Sequence, residues 1–297
     1  MYDLHRLRLL LELKRRGTLG AVADALNYSR STISQQLAQL EAEAGVPLLQ
    51  PVGRRVRLTP QADILVGHTE VLLREMEAAE TAVAQSLTEL TGTVRVGVFQ
   101  TGMLRLLPQA LTMVQRRHPR LRIEIFQDEP QLTLPRLATH DLDLVLVEEF
   151  PGHKLPRQAG IEYQPLWQDR LRLAVPEQLA AEGVPCLSRL AGHAWVAEPE
   201  GTASRDWLQS LCREEGFEPD IRYTSADLLM HRQLVAHGHA VAVLPDLLLP
   251  SAEISVVLSD LAEVPCFRSV LTATRTETVN HPAIRTFREA LETVSSE

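Results

Sequence analysis

Apolar residues at the start of the chain recur at helical spacing. Leu4, Leu7 and Leu10 or Leu11 share one face, and Gly17 follows Lys14-Arg15-Arg16 where a helix would stop. Thr18 is placed to cap a shorter second helix over Leu19–Leu26, whose Ala21, Ala23 and Ala25 leave room for a close neighbour. After a turn at Asn27-Tyr28, Ser29 is the expected N-cap of a third helix reaching Ala44. Ile33, Leu37 and Leu40 form its buried stripe and Gly45 its stop. Helix, short turn, helix is the outline of a helix-turn-helix. In Val52–Leu58, Val56 and Leu58 alternate with Arg55 and Arg57, which predicts a small β-wing with arginines at its tip.

Thr59-Pro60 reads as N-cap and first residue of a long helix to about Leu90. Its apolar positions Ile64, Val71 or Leu72, Met76, Ala79, Val83, Leu87 and Leu90 call for pairing with a second copy of the chain. From Thr91 short apolar strands alternate with amphipathic helices. Strands are expected at Thr93–Phe99, Leu121–Gln127, Leu142–Val147, Leu171–Val175, His193–Ala197, Ile221–Thr224, Ala240–Leu244 and Arg268–Arg275. Helices are expected at Leu104–His118, Leu132–Thr139, Thr202–Glu215, Ala226–His237 and Pro282–Ser295. The fold class is therefore α/β, with a largely parallel sheet, behind an all-α winged head. The expected domains are the head at 1–59, a dimerising helix at 60–90 and a two-lobed body at 91–297. Lobe I takes about 91–164 and 268–297, and lobe II about 165–267.

Charge changes this picture. The 297-residue chain carries a net −8, which taken whole argues against a nucleic-acid partner. Residues 1–58, however, have nine basic and five acidic side chains, leaving −12 on the remainder. A basic head on an acidic body points to a polyanion at one end. No apolar run approaches the roughly 18–20 residues of a membrane span, and the N-terminus lacks a secretory signal pattern, so a cytoplasmic protein is expected. Cys186, Cys212 and Cys266 are widely spaced, without a C-x-x-C pair, and encode neither a disulfide framework nor a zinc site.

On the third helix, Ser31, Ser34, Gln35, Ala38 and Gln39 lie away from the buried stripe, with Thr32 at their flank and Arg30 in the first turn. Short, hydrogen-bonding side chains of this kind suit a surface that reads base edges in the major groove of double-stranded DNA. Arg54, Arg55 and Arg57 would hold phosphates or enter a minor groove; the bland alternatives are a polar helix face and a solvated turn.

These segments carry a resemblance. Thr18–Leu26, Ser34-Gln35-Gln36-Leu37, Gly45-Val46-Pro47-Leu48 and Arg57-Leu58-Thr59-Pro60 resemble the winged helix-turn-helix of the LysR-type transcriptional regulators. Gly97, Leu107-Pro108, His118-Pro119, Leu142-Asp143-Leu144, Leu234–Gly238 and Leu244-Pro245 resemble that family's effector domain. The resemblance implies a two-lobed periplasmic-binding-protein type 2 fold holding a small-molecule effector between its lobes. It also implies a homodimer or homotetramer, and contact with RNA polymerase if the protein activates. Leu49, Pro51, Gln35 and Arg30 depart from residues common in the family, which bears on the target sequence, and Ala62 replaces a common glycine.

Ligands of open α/β sheets sit at the carboxyl ends of strands, which nominates Gln100, Thr101, Asp128, Glu148, Glu149 and Thr202 as effector-binding residues. Adjacent residues on a strand face opposite ways, so at most one of Glu148 and Glu149 enters the cleft. Thr101 and Thr202 at helix starts would favour an anionic group or merely cap their helices, while the carboxylates would favour a cation. An effector with both groups, such as an amino acid, is the first expectation and a small organic acid the second. His231, His237 and His239 hint at a metal but lack the spacing for a closed site. No catalytic constellation, phosphate loop or cofactor motif is present, so no enzyme activity, metal or cofactor is expected. The rival readings are an enzyme or a solute-binding body fused to a DNA-binding head.

Overall fold

A computed structural model describes the chain apart from residues 27, 53, 54, 88, 182, 184, 249–255, 262–264, 296 and 297. Contacts divide it into two compact units, Met1–Val83 and Ala84–Glu297.

The first unit starts with α1 (Leu4–Arg16), α2 (Leu19–Leu26) and α3 (Arg30–Ala44). Asp3 caps α1 by accepting from the Arg6 N–H, and Gly17 ends it at φ 77°, a left-handed turn that glycine adopts without steric cost. Thr18 accepts from the Ala21 N–H at 3.1 Å, and Ser29 from the Thr32 N–H at 3.0 Å. Leu10, Val22, Ile33, Leu37 and Leu40 bury together where the three helices meet. Each such side chain contributes on the order of 1.5–3 kcal/mol. The wing is the antiparallel hairpin β1 (Leu49–Val52) and β2 (Arg55–Leu58). Glu41 Oε1 fastens it to α3, accepting from the backbone N–H groups of Leu48 and Leu49 at 2.8 and 2.9 Å.

Thr59 caps α4 (Pro60–Gln85), accepting from the Ala62 N–H at 3.2 Å. The helix stops five residues before the expected Leu90, in a run where Ser86, Thr91 and Gly92 disfavour continuation. It has two apolar stripes. Ala62 and Val66, with Leu65 and Leu73, pack on the helix-turn-helix core, whereas Ile64, Val71, Leu72, Met76 and Val83 stay exposed.

The second unit runs through β3 (Gly92–Val98), α5 (Gln100–Arg105), α6 (Leu107–Arg117), β4 (Leu121–Gln127), α7 (Pro130–Ala138), β5 (Leu144–Glu149) and β6 (Ile161–Val175). It continues through α8 (Glu177–Ala180), β7 (Ala194–Ala197), α9 (Ala203–Glu214), β8 (Asp220–Thr224), α10 (Leu228–Ala236) and β9 (Ala242–Pro245). It closes with β10 (Val257–Asp260), β11 (Cys266–Arg275) and α11 (Pro282–Ser295). A seven-stranded sheet has the order β10-β6-β11-β5-β3-β4, with β9 also paired to β6, and β7 and β8 form a separate parallel pair.

Three expectations are corrected here. The sheet is mixed: β3 runs parallel to β4 and β5, while the pairings of β6 and β11 are antiparallel. The first half of β6 escaped notice because Ile161–Arg170 is polar and contains Pro165, which faces Leu271 where the register slips. Proline cannot donate to a ladder, and an irregularity accommodates it. The expected helix over Leu104–His118 is two helices parted at Leu106, with Pro108 in the first turn of the second.

The sheet supports two cores. Val96, Leu106, Leu144, Phe287 and Leu291 belong to one, and Leu173, Trp195, Trp207, Leu208 and Cys212 to the other. These are two lobes, and the long strands β6 and β11 join them. Gly97 sits beneath α7, where an added Cβ would lie 2.8 Å from Leu142 Cδ1 and 2.9 Å from Thr133 Cβ. Gly97→Ala is therefore expected to destabilise the second unit by about 1–3 kcal/mol, as overpacked cores do. Urea unfolding monitored by tryptophan fluorescence would check this, and an unchanged midpoint would refute the close packing.

Candidate functional site

The ends of several strands converge on one buried guanidinium. Arg268, near the start of β11, is 2% exposed. Its Nε and Nη2 donate to Asp169 Oδ2 at 2.8 and 2.6 Å, Nη2 also donates to Thr101 Oγ1 at 2.6 Å, and Nη1 donates to Glu148 Oε2. The Phe99 ring lies 5.2 Å from the guanidinium carbon, within cation–π range. Asp169 is fixed in turn by the Leu247 N–H at 3.0 Å. Burial opposes the charge on Arg268, but Glu148 and Asp169 outweigh it and hold the guanidinium protonated.

Two further carboxyls join Glu148. Glu129 directly precedes α7 and Glu198 follows β7. One oxygen from each of the three glutamates lies within 4.8 Å of the others. Four carboxyls thus surround one cation. Burial, reinforced by Glu198 and Glu148, pushes Glu129 up to about 8. Burial and the charge of Glu148 push Glu198 up to about 7. Glu148 is also raised, by burial first, with Arg268 pulling against it. Such a cluster either keeps protons near neutral pH or takes up a cation, and its oxygen donors are those a hard divalent metal would use.

Of the nominated effector residues, Glu148 lies in this cluster. Glu149 faces elsewhere, its Oε1 accepting from Arg157 Nη1 at 2.8 Å and the Leu155 N–H at 3.2 Å. Thr101 is corrected: it lies inside α5 rather than capping it, is fully buried, and its hydroxyl accepts from Arg268. Thr202 caps α9, accepting from the Arg205 N–H at 3.3 Å and donating to the Pro199 carbonyl at 2.9 Å. Asp128 Oδ1 accepts from the Glu129 N–H at 3.1 Å. Gln100 spans the lobes, donating from Nε2 to Asp227 Oδ1 at 2.6 Å and accepting from the Leu228 N–H at 2.7 Å.

A cavity of about 20 Å³ adjoins the cluster, lined by Glu198, Arg268, His231, Phe150, Trp207 and Leu228 among others. A larger one of about 550 Å³, with His193, His237 and His239 on its wall, opens instead at the starts of β7 and β9. Strand carboxyl ends are where α/β sheets bind ligands, and Glu198 and Pro245 at those ends line the smaller cavity. His231 is buried, donates from Nε2 to the Ser225 carbonyl at 2.7 Å, and burial lowers its proton affinity.

In the first unit, Arg30, Ser31, Ser34, Gln35 and Gln39 are exposed along α3, and Thr32 is half-buried with its hydroxyl 2.8 Å from that of Ser29. Arg57 is exposed on β2. Arg54 and the side chain of Arg55 lie outside the described residues.

Both units match known families. The family described as "Bacterial regulatory helix-turn-helix protein, lysR family" matches residues 4–63, and "LysR substrate binding domain" matches residues 88–296. The chain belongs to the LysR family. It is accordingly a DNA-binding transcriptional regulator with an effector-binding domain, which displaces the fused-enzyme and solute-binding readings. The DNA-binding transcriptional dual regulator OxyR of Escherichia coli is 28% identical over 253 residues, 84% of this chain and 80% of that protein. The transcriptional dual regulator GltC of Bacillus subtilis is 26% identical over 246 residues, 82% of this chain and 81% of that protein. A full-length point variant of OxyR from Pseudomonas aeruginosa shares the fold, with a TM-score of 0.71 at 21% identity, over 98% of this chain and 95% of that one. No helix among the described residues is long and apolar enough to cross a membrane.

In this LysR-family chain, Arg268, Asp169, Glu129 and Glu198 are site residues that the sequence pattern did not single out. Glu198 follows the apolar run Trp195-Val196-Ala197 just as Glu148 follows Leu146-Val147, so the same strand-end argument applies to it. Arg268 and Asp169 carry no local signal, because their pairing spans 99 positions.

The raised carboxyls make stability depend on pH. Folded Glu129 keeps its proton up to about 8, whereas an unperturbed carboxyl releases it near 4.5. Between those values the folded state binds the extra proton. Stability therefore falls as pH rises, by up to about 1.4 kcal/mol per pH unit from one such group. Glu129→Gln removes this loss. The variant should gain on wild type across that window and hold a constant advantage above it, as urea unfolding at fixed ionic strength would show; a difference independent of pH would contradict the buried-carboxyl geometry.

Proposed function

We propose that α3 reads an operator, that α4 pairs two copies of the chain, and that a small molecule bound where the lobes meet modulates the outcome. The observation that carries this reading is the pairing of an exposed, hydrogen-bonding α3 with a body whose strand ends gather buried charge beside a cavity. The body binds its effector without turning it over. The hydroxyl and imidazole on the cavity wall are engaged separately, Ser204 with Glu198 and His231 with the Ser225 carbonyl.

Some relatives are named as hydrogen peroxide-inducible genes activators. The thiols of this chain argue against a peroxide response of its own. A peroxide-reactive cysteine needs an accessible thiolate. Cys212 is fully buried and pushed up to about 12 by that burial, and burial also raises Cys266. Cys186 is exposed, with its thiol shifted down by the Ser188 hydroxyl 3.3 Å away, but it stands apart from the charged cluster, at the start of a short 3₁₀ turn in lobe II.

The exposed stripe of α4 supports self-association. The 26-residue helix is about 39 Å long and presents Ile64, Val71, Leu72, Met76 and Val83 to solvent in the single chain. A second copy, laying the same stripe against it, covers this face by an interface that closes on itself.

Two measurements test the reading. Arg30→Ala and Gln35→Ala should each cost about 1–3 kcal/mol on the specific operator and relax preference at the contacted base, while Arg57→Ala should weaken all sequences alike and flatten the salt dependence. Footprinting and titrations at several salt concentrations would register this, and unchanged binding in all three variants would exclude α3 and the wing as the reading surface. Leu72→Glu combined with Val83→Glu should yield smaller particles in light scattering and operator affinity reduced at least tenfold. A wild type that is monomeric at micromolar concentration would reject the paired helix.

A further inference from the structure

Glu129 and Glu148 come from lobe I, the latter from the end of β5, and Glu198 from lobe II, so the three carboxylates meet only where the lobes do. Glu148 is satisfied by Arg268. Glu198 is 5% exposed and lines the cavity; the Ser204 and Thr202 hydroxyls serve its carboxylate, but its Oε2 has no hydrogen-bond partner among the described residues. An unpartnered carboxylate oxygen at that depth calls for a donor. The cavity is also two-sided: Glu198, Ser204, His231 and Arg268 form a polar part of its wall, and Phe150, Trp207, Leu208 and Leu228 belong to an apolar part.

We propose that the lobe junction is a receptor for a primary alkylammonium, whose N–H donors are taken by Glu129, Glu148 and Glu198 while its alkyl stem lies along Phe150, Trp207 and Leu228. This rests on the regulator reading above and names the chemical class of its effector. The dimensions agree. Three acceptors about 2.8 Å from one tetrahedral nitrogen stand about 4.6 Å apart, and the three carboxylate oxygens here lie within 4.8 Å of one another. A bare divalent ion makes no use of the apolar wall, and the Arg268 guanidinium beside the cluster repels its double charge about twice as strongly as the single charge of an ammonium. The anionic half of an amino acid finds little: the Thr101 hydroxyl is occupied by Arg268, and Thr202 is turned to its own helix and the Pro199 carbonyl. The cavity of about 20 Å³ admits one water-sized group, such as an ammonium head, so the stem enters as the wall of Trp207 and Leu228 moves aside.

Trp207 reports on occupancy. The full-length protein is titrated at about pH 8.5, above the values of about 8 and about 7 to which Glu129 and Glu198 are raised and where alkylamines are still protonated. The probes are n-butylamine, 1,4-diaminobutane, n-butyrate, and Mg²⁺, Ca²⁺ and Mn²⁺ without organic ligand. Calorimetry and tryptophan emission are the readouts, with Trp207→Phe assigning the optical signal. The amines should bind saturably and shift Trp207 emission. Glu198→Gln should weaken them at least tenfold, and Glu200→Gln, an exposed carboxylate two positions on, should leave them unchanged. Operator binding by each variant shows that it is folded. Amine binding that survives Glu198→Gln overturns the proposal. So does metal binding without amine binding, which would make the cluster a metal site. Butyrate binding with a Trp207 shift would leave the junction as the effector site and overturn the cationic class alone. Retained operator binding with no ligand response overturns the proposal and spares DNA recognition, whereas a wild type that binds no DNA brings down the reading beneath it.

Discussion

The second unit is organised around a buried imbalance of charge. Arg268 is sealed from water and bonded to Glu148, Asp169 and Thr101, so α5 and β5 of lobe I, the shared strands and the turn after β9 all depend on one guanidinium. Removing a partner from a buried pair of this kind costs about 3–5 kcal/mol, because a charge is left without compensation. A single cation cannot neutralise four carboxyls. Glu129 and Glu198 carry the excess, and burial first, then the neighbouring glutamate charges, raise their proton affinity.

Much of the fold was legible in the sequence because its signals are local. Caps at Thr18 and Ser29 and left-handed glycines at 17 and 45 fixed the helices of the head to within a residue or two. Apolar runs marked the core strands. What stayed hidden is non-local: the polar first half of β6 becomes a strand only because β11 pairs with it, and the expected parallel sheet becomes mixed for the same reason. The site divides along the same line. Strand-end position found Glu148, but the hydrogen bond and the ion pair that withdraw Thr101 and Glu149 from a ligand run to Arg268 and Arg157, which no spacing rule connects to them.

The relatives illustrate how far fold and sensed signal separate. The chain aligns along most of its length with regulators named for hydrogen peroxide, yet its thiols are buried, raised or remote from the charged junction. Its unusual chemistry is carboxylate chemistry. The effector domain keeps a scaffold that presents strand ends to a ligand, and the residues at those ends decide what the ligand is.

A ligand at the junction changes the protein only through the difference in its affinity for two arrangements of the lobes. Gln100 is one direct polar link in this arrangement, beside the Gln131 amide on the Gly201 carbonyl: it donates to Asp227 and accepts from the Leu228 N–H at the start of α10, holding lobe I to lobe II. Asp227 is itself the N-cap of α10, and its carboxylate is held below the usual range chiefly by the Gln100 amide, so the link is a charge-assisted one. Leu228, whose N–H Gln100 holds, also lines the cavity. A stem that displaces Leu228 therefore strains the link, while an ammonium head that draws Glu129 and Glu198 together favours closure. The two effects act at different elements of one junction with opposite sign, so on this proposal the response depends on stem length as much as on charge.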